Sequence, residues 1–396
     1  MTKNQRLPIL IIGGGIGGIV TALALSRKNI STIVLEQAAQ FREAGAGIQL
    51  CPNVFKMFDF LGLTKQITNI AFFPDNLIFM DGVTGKEYSR IPLGETFVTR
   101  FKYPHGVFHR SELLSILVNE CKKSPFIKLI TSARVINVEE QDGTVFASTN
   151  EDVIYEGDAL IACDGIWSIV RENVIGKKEP RVSKSMSYRA LVPLDQIPKH
   201  IRSNDIVHWQ RPNSHLVHYP ISTQGFLNIV AEIESEKHHE AHDIIGNPEE
   251  LENIFVGSPP EILELLKHVD KTRMWMMCDR EPQSNWTKGR MTLLGDAAHP
   301  TLPHMAQGAG MAIEDAVVIA QFLEKYGEDY TAAFNAYQQE RYIRTAYVQT
   351  ASRAYENVHY ASGIARELRN NVLSQAKPEL IYDLLGLLYD GIKIPE

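Results

Sequence analysis

Residues 295–310, GDAAHPTLPHMAQGAG, place Asp296, His299 and His304 in one junction between an apolar run, MTLL, and an apolar, helix-like segment, MAIEDAVVIAQFL. A simple turn needs two or three special residues. Here Gly308 and Gly310, with Ala309 between them, would lay bare backbone N–H groups against a ligand. Asp296, at the end of a strand, would accept hydrogen bonds from it. Nearly three hundred residues upstream, GGGIGG contains Gly13, Gly15 and Gly18 in the pattern GxGxxG. The first glycine permits a tight turn after a strand, the second lets a pyrophosphate approach the backbone, and the third lets helix pack on strand. The phosphates would then sit at a helix N-terminus, where free N–H groups and the dipole favour anions. Glu36 closes TIVLE, where a carboxylate suits the ribose hydroxyls of an adenosine. The alternative is a glycine-rich turn with no ligand.

A third stretch, DALIACDGIWSIVR, puts Asp164 and Gly165 at the carboxyl end of a buried strand, with Ser168 and Arg171 one and two turns on. Ligands of open α/β sheets bind outside those strand ends; an aspartate there also serves simply to cap the next helix. In HLVHYPI, strand alternation puts His215, Val217 and Tyr219 on one face and turns His218 to the other. His304 follows Pro303 in the 295–310 junction, and the plain reading of His215 and His304 is a core or surface histidine satisfied locally. His299, before Pro300, reads as structural. His238 and His242 have helical i, i+4 spacing, but with His239 they sit among Glu236, Lys237 and Glu240, so a solvated face is expected and no metal.

The elements that must position these residues are legible in outline. Residues 8–12 read as a buried strand, 17–29 as a helix and 31–37 as a second strand, a βαβ unit in about thirty residues. A helix follows over 53–63. Residues 71–100 look strand-rich, with turns at 81–82 and 84–85. A helix opened by Ser111 spans 111–123, then a meander and a buried strand ending at Asp164. From 183 to 235 the pattern is β-like (SYRALVPL, DIVHWQ, HLVHYPI, FLNIVAEI), and RMTLLGD is again a buried strand. Everything after 311 reads as helical, including the tyrosine-rich stretch from 330, which reads as packing. The return to a buried strand near 291 predicts a first domain discontinuous in sequence.

The 396 residues suffice for two or three domains or one elaborated α/β domain, and 44% hydrophobic with 22% charged residues is ordinary for a soluble globular chain. A net charge of −7 with no basic run argues against nucleic acid as the main partner. No run of about 18 apolar residues suggests a membrane span. The start, MTKNQRLPILIIGGG, resembles the first part of a signal peptide but flows into glycines instead of a cleavage site. The four cysteines lie far apart without CxxC, so the expectation is a reducing cytoplasm without zinc or a disulfide framework.

In the order GxGxxG, DG, GDAAHP, over about residues 8 to 350, the chain resembles the flavin aromatic hydroxylases of the p-hydroxybenzoate hydroxylase type. That resemblance implies an α/β fold: a discontinuous Rossmann-like FAD-binding domain (1–70, 101–180 and 276–350), a β-sheet substrate domain (71–100 and 181–275) and a C-terminal helical segment (351–396). It implies Glu36 on the adenosine ribose, Asp296 on the ribityl chain, Arg110 of HRSELL beside the flavin, Asp164 near the pyrophosphate and the nicotinamide route, and His215 facing substrate as candidate base, with Tyr219 and His304 as candidate partners for a substrate hydroxyl or carboxylate. AFFPDNLIFMDGVTGKEYSRIPLGETF, DREPQSNWTKGRMTLLGDAAHP and HLVHYPI look most like the 3-hydroxybenzoate 6-hydroxylase branch, with the salicylate and 6-hydroxynicotinate branches next. PHMAQGAGMAIEDA is nearer the nicotinate branch. Gln49 matches the benzoate branch, where the nicotinate branch has histidine; Pro303 departs from the benzoate branch, which has glutamine there. The implied activity is hydroxylation of a small phenolic aromatic acid, 3-hydroxybenzoate to gentisate in the first instance. FAD is the implied cofactor, NADH or NADPH and dioxygen the co-substrates, and a flavin C4a-hydroperoxide the oxygen donor. A flavin oxidase or dehydrogenase on the same fold, and a non-catalytic FAD- or NAD-binding sensor, are the rival classes. The residues leave monomer and homodimer both open.

Overall fold

The computed structural model describes residues 6–42, 46–221, 225–235 and 243–394. Two sheets organise them. The first has six strands in the order Thr287–Lys288, Met291–Leu293, Ala159–Ala162, Ile9–Ile12, Thr32–Leu35, Ile127–Ile130, parallel except at the first pair. Its central strands, ILII and ALIA, are wholly buried, as expected of a parallel sheet covered on both faces. The helices Ile16–Ser26, Arg110–Cys121 and Gly308–Tyr326 pack around it. Strands remote in sequence are neighbours here: residue 291 returns beside 160, which makes this layer discontinuous.

The second sheet has eight strands: Asp243–Ile245, Arg273–Asp279, Arg181–Pro193, Phe226–Glu234, Ser214–Ile221, Ile206–Arg211, Asn76–Asp81 and Glu87–Pro92, in that spatial order. Alternation divides it. Met186, Tyr188, Leu216, Leu227, Ile229, Ala231 and Ile233 join one apolar cluster with Leu251, Phe255, Ile262 and Leu265 from the helices Pro248–Ile254 and Pro260–Leu266 and the loop following the first of them. The opposite, front face carries Arg189, His208, His215, Tyr219, Asn228 and Glu232, as the cross-strand register requires: His215 pairs with Glu232 and Tyr219 with Asn228, while Val230 pairs with both Val217 and Arg189. A sheet that is apolar behind and polar in front has its front reserved for something other than packing alone.

A ribbon of Gly47–Leu50 paired with Gly106–His109 bridges the two layers, and Gly47 N donates to Asn228 Oδ1 at 2.8 Å. The chain ends in the helices Tyr330–His359, Gly363–Gln375 and Pro378–Tyr389. The first brings His359 and the following Tyr360 to the front face.

Three sequence expectations need correction. Within the strand-rich 71–100, Glu95–Phe101 is a helix; Phe97 and Phe101 are buried at i, i+4 spacing with ring centroids 4.7 Å apart, a helical period. The helix expected to open at Ser111 starts at Arg110, with His109 at its N-cap and the Ser111 hydroxyl on His109 Nδ1 at 2.7 Å. The strand expected to end at Asp164 stops at Ala162.

Candidate active site

The glycines at the first strand–helix junction are forced by contact. Gly13 has φ +102°, and a side chain on it would collide with the Cys163 carbonyl. A side chain on Gly18 would collide with the Gly13 carbonyl. Gly15 is the N-cap of the helix Ile16–Ser26, which has no side-chain cap, so its first N–H groups face outward. Glu36 lies just beyond the adjacent strand, its carboxylate accepting from Gly14 N and Ala38 N, each at 2.7 Å. Those two bonds fix it beside the glycine turn and leave a lone pair on each oxygen.

The junction 295–310 is held from three sides. Asp315, fully buried, accepts from Gly295 N at 3.1 Å, lies 2.6 Å from His299 Nε2 and accepts from Arg341 Nε at 2.6 Å. Arg171 donates to the carbonyls of Ala297 and Ala298 at 2.6 and 2.9 Å. Gln349 donates to Pro300 O at 3.0 Å. His299 and Arg171 are thus structural, and the turn they fix presents Asp296. That side chain is solvent-accessible yet so densely surrounded that its carboxyl is pushed upward by desolvation, opposed by His299 and Arg110. An accessible side chain in such surroundings lines a cleft. Gly308, Ala309 and Gly310 form the first turn of a 19-residue helix, again without a side-chain cap. Asp164 caps the helix Ile169–Ile175 through Ile169 N at 3.0 Å, while its buried Oδ1 has no partner; burial pushes its carboxyl up. Both readings of this residue therefore survive.

These features fit FAD: two uncapped helix N-termini for anionic or electron-rich groups, Glu36 and Asp296 for sugar and ribityl hydroxyls, and an orphaned carboxylate oxygen between them.

Arg110 follows the bridging ribbon, and its N–H donates to Ala46 O at 3.0 Å. Its charge is felt by Asp296 on one side and by Arg189 on the other, which places it between the cofactor turn and the front face. Gln49 in the ribbon lies 3.2 Å from His105 Nε2 and also beside the Tyr219 hydroxyl. Tyr219 is buried, its hydroxyl pushed far up by desolvation and eased by Arg189 and Gln49.

His215 is 3% exposed and its Nδ1 has no partner. Burial lowers its basicity, opposed by Glu232. His304, in the 3–10 turn Pro303–Met305, lies against the same carboxylate: Glu232 Oε2 is 3.5 Å from His215 Nε2 and 3.3 Å from His304 Nε2. Three of the candidates, His215, Tyr219 and His304, therefore share the front face, and His218 points away into the rear layer. Sequence reading missed Glu232, Arg189 and His359. A charged residue in the middle of an alternating apolar strand, as in FLNIVAEIE and SYRALVPL, was the available signal. His359 stacks edge-on against His215 with centroids 4.6 Å apart. Among the described residues no cluster of three or more His, Cys, Asp or Glu is placed to hold a metal; His238, His239 and His242 lie outside them.

A discontinuous, mainly parallel sheet with a GxGxxG turn, a second aspartate-bearing turn and a mainly antiparallel sheet over them fit the class of FAD-binding hydroxylases. Residues 6–352 match the FAD binding domain family, and the chain belongs to it. The chain is 38% identical over 390 residues to the 3-hydroxybenzoate 6-hydroxylase of Polaromonas naphthalenivorans (strain CJ2), covering 98% of this chain and 97% of that one. It is 37% identical over 382 residues to 3-hydroxybenzoate 6-hydroxylase 1 of Aquipseudomonas alcaligenes, covering 96% and 97%. The crystal structure of Klebsiella pneumoniae HpxO complexed with FAD and uric acid superposes with a TM-score of 0.85 at 22% identity, covering 97% of each chain, a likeness of fold. The protein is an FAD-dependent aromatic monooxygenase. No described helix is long and apolar enough to cross a membrane.

Proposed function

We propose that this enzyme hydroxylates 3-hydroxybenzoate at ring position 6, para to the hydroxyl, giving gentisate. The balance is phenol, NAD(P)H, a proton and dioxygen going to dihydroxybenzoate, NAD(P)+ and water. The observation that carries the proposal is His215: a buried imidazole on the sheet's front face, its Nδ1 unpartnered, in a chain similar to two 3-hydroxybenzoate 6-hydroxylases along nearly its whole length.

In this reading Gly13, Gly15, Gly18 and Glu36 hold the adenosine diphosphate half of FAD. Asp296, Arg110 and the 308–310 turn hold the ribityl and ring half, and Asp164 lies toward the pyrophosphate. The chemistry supplied by bound FAD is acceptance of hydride from NAD(P)H and activation of dioxygen for electrophilic attack on the ring. His215 takes the phenol proton, since a phenolate is far the better nucleophile. Tyr219, held by Gln49, orients the substrate, and Arg189 on the same face supplies the positive charge an aromatic carboxylate needs. Val217, Val230 and Met305 exclude water, which would otherwise divert activated oxygen to hydrogen peroxide. The division into a flavin-holding unit (1–70, 101–180, 276–350), a substrate sheet (71–100, 181–275) and terminal helices is part of the proposal. So is a cytoplasmic location, supported by four unpaired thiols.

The test is a panel of hydroxybenzoates and hydroxynicotinates scored for stimulated NADH and NADPH oxidation, with products identified by mass spectrometry. Gentisate from 3-hydroxybenzoate is expected. Stronger, coupled turnover of salicylate or a 6-hydroxynicotinate would reassign the substrate, and hydride removal from an amine or alcohol would reassign the class.

A further inference from the structure

Glu232 is a carboxylate in the middle of a strand, 3% exposed, with its Oε2 shared between two imidazoles whose side chains are 4% and 1% exposed. Burying such a charge is costly unless it is paired. The pairing dictates where the protons are. His304 Nδ1 lies 3.2 Å from Ser352 O, and a carbonyl only accepts, so Nδ1 carries a proton. His304 Nε2 lies 3.3 Å from Glu232 Oε2, close to it but not aligned as a hydrogen bond, and a lone pair held there would be repelled by the ionised carboxylate, so Nε2 carries a proton too. His304 is then an imidazolium. His215 Nε2 lies 3.5 Å from the same oxygen, and the same repulsion puts its single proton on Nε2 and its lone pair on Nδ1, which has no hydrogen-bond partner.

We propose that Glu232 is a positioning residue that fixes His304 as a cation and His215 as a neutral base with its lone pair on Nδ1, the atom that takes the substrate proton. The catalytic meaning rests on the reading of His215 above; the protonation pattern does not. His304 then acts through Glu232 and has neither ring nitrogen free for substrate.

The surroundings agree. Burial opposes a charge on His304, yet Glu232 and Glu356 hold its basicity above the ordinary histidine range. Burial would raise the Glu232 carboxyl, and the histidines and Arg189 hold it well below its ordinary value instead. His215 is kept low by burial and by His304, against the pull of Glu232 and Glu356. The other groups facing this cluster are His208 from the strand Ile206–Arg211, Arg189 from Arg181–Pro193, and Tyr355, Glu356, His359 and Tyr360 from the long helix and its end. His208 and His359 are held neutral by burial. Neither of them therefore adds to the positive charge that Arg189 already brings near the His304 cation.

The experiment is nitrogen-15 NMR of histidine side chains in the FAD-loaded enzyme without substrate, with assignments from His215→Gln and His304→Gln. At neutral pH the wild type should show His304 protonated on both nitrogens and His215 protonated on Nε2 only. In Glu232→Gln, His304 should become neutral with its proton on Nδ1, and Glu232→Asp should restore much of the cation. In turnover with 3-hydroxybenzoate, Glu232→Gln should lower product formed per NAD(P)H, by less than His215→Ala does. Wild-type product formed per NAD(P)H should fall as pH rises through the His304 titration, and that dependence should be absent in Glu232→Gln. A neutral His304, or a proton on His215 Nδ1, in the wild type overturns the proposal even if Glu232→Gln does not fold. If the NMR pattern is as stated but 3-hydroxybenzoate is not hydroxylated, the substrate reading fails and the proton arrangement stands.

Discussion

Replacing Asp315 with Asn should both destabilise the protein and loosen FAD, because one buried carboxylate holds the turn that carries Asp296. Asp315 and Arg341 are fully buried and His299 nearly so. An asparagine has one oxygen to offer. If that oxygen stays on Arg341 Nε, the amide NH2 meets the Gly295 N–H and His299, and a buried donor is left unsatisfied, at about 1–3 kcal/mol. If the amide flips, two donors meet at Arg341. In either case Arg341 and Arg344 are left with Glu314 as their shared carboxylate. Breaking a buried pair costs about 3–5 kcal/mol, and the orphaned amide is part of that figure, so about 3–5 kcal/mol is the expected loss. Urea midpoints of the FAD-loaded protein measure it. Leu251→Ala is the control: a fully buried residue of the rear layer, remote from the turn, with a comparable cost of about 2–5 kcal/mol. FAD fluorescence on dilution should show dissociation from Asp315→Asn at a concentration where Leu251→Ala stays loaded. Wild-type stability in Asp315→Asn, or FAD retention equal to the control, would refute the reasoning.

Glu36→Arg should weaken FAD binding, since a cation cannot accept from ribose hydroxyls and would lose the Gly14 and Ala38 amides; unchanged affinity would remove Glu36 from the ribose. His215→Ala should slow oxygen transfer by about 10²–10⁴-fold while flavin reduction changes much less, so that NAD(P)H is consumed with hydrogen peroxide as product; a wild-type ratio of product to NAD(P)H would shift the base role elsewhere. Low pH should unfold the chain through its buried histidines. His105 and His218 are each held down at about 4 by burial. The unfolded chain binds those protons first, so stability is present above about pH 6.5 and falls as pH drops toward 4. Each contributes a slope of about 1.4 kcal/mol per pH unit, and His218→Gln should remove that share; urea midpoints unchanged between pH 6.5 and 5 would contradict it.

The cofactor side of this molecule was legible because its signals are local. Gly13 is required by its positive φ and Gly18 by the Gly13 carbonyl within the same turn, and the 295–310 junction compresses its chemistry into sixteen residues. The front face was half legible: alternation alone sorted His215 and Tyr219 from His218. Glu232 and Arg189 stood out only as charges within apolar strands, and their roles could not be read from that for a physical reason. Their meaning depends on the register between strands, Glu232 opposite His215 and Arg189 opposite Val230, and register is set by the whole sheet. His359 arrives from a helix more than a hundred residues later. Asp315 hid within the segment after 311 that read only as helical, and the helix Glu95–Phe101 was masked by the β-rich residues before it.

The most direct test of the central claim is turnover of 3-hydroxybenzoate by the FAD-loaded enzyme with NADH or NADPH under oxygen-18 gas. The account predicts gentisate carrying one oxygen-18 atom in the new hydroxyl, at position 6 of the substrate and position 2 of gentisate, formed in near-equal amount to the NAD(P)H consumed. Unlabelled product, or NAD(P)H oxidation that yields hydrogen peroxide and leaves every ring in the substrate panel unchanged, would contradict it.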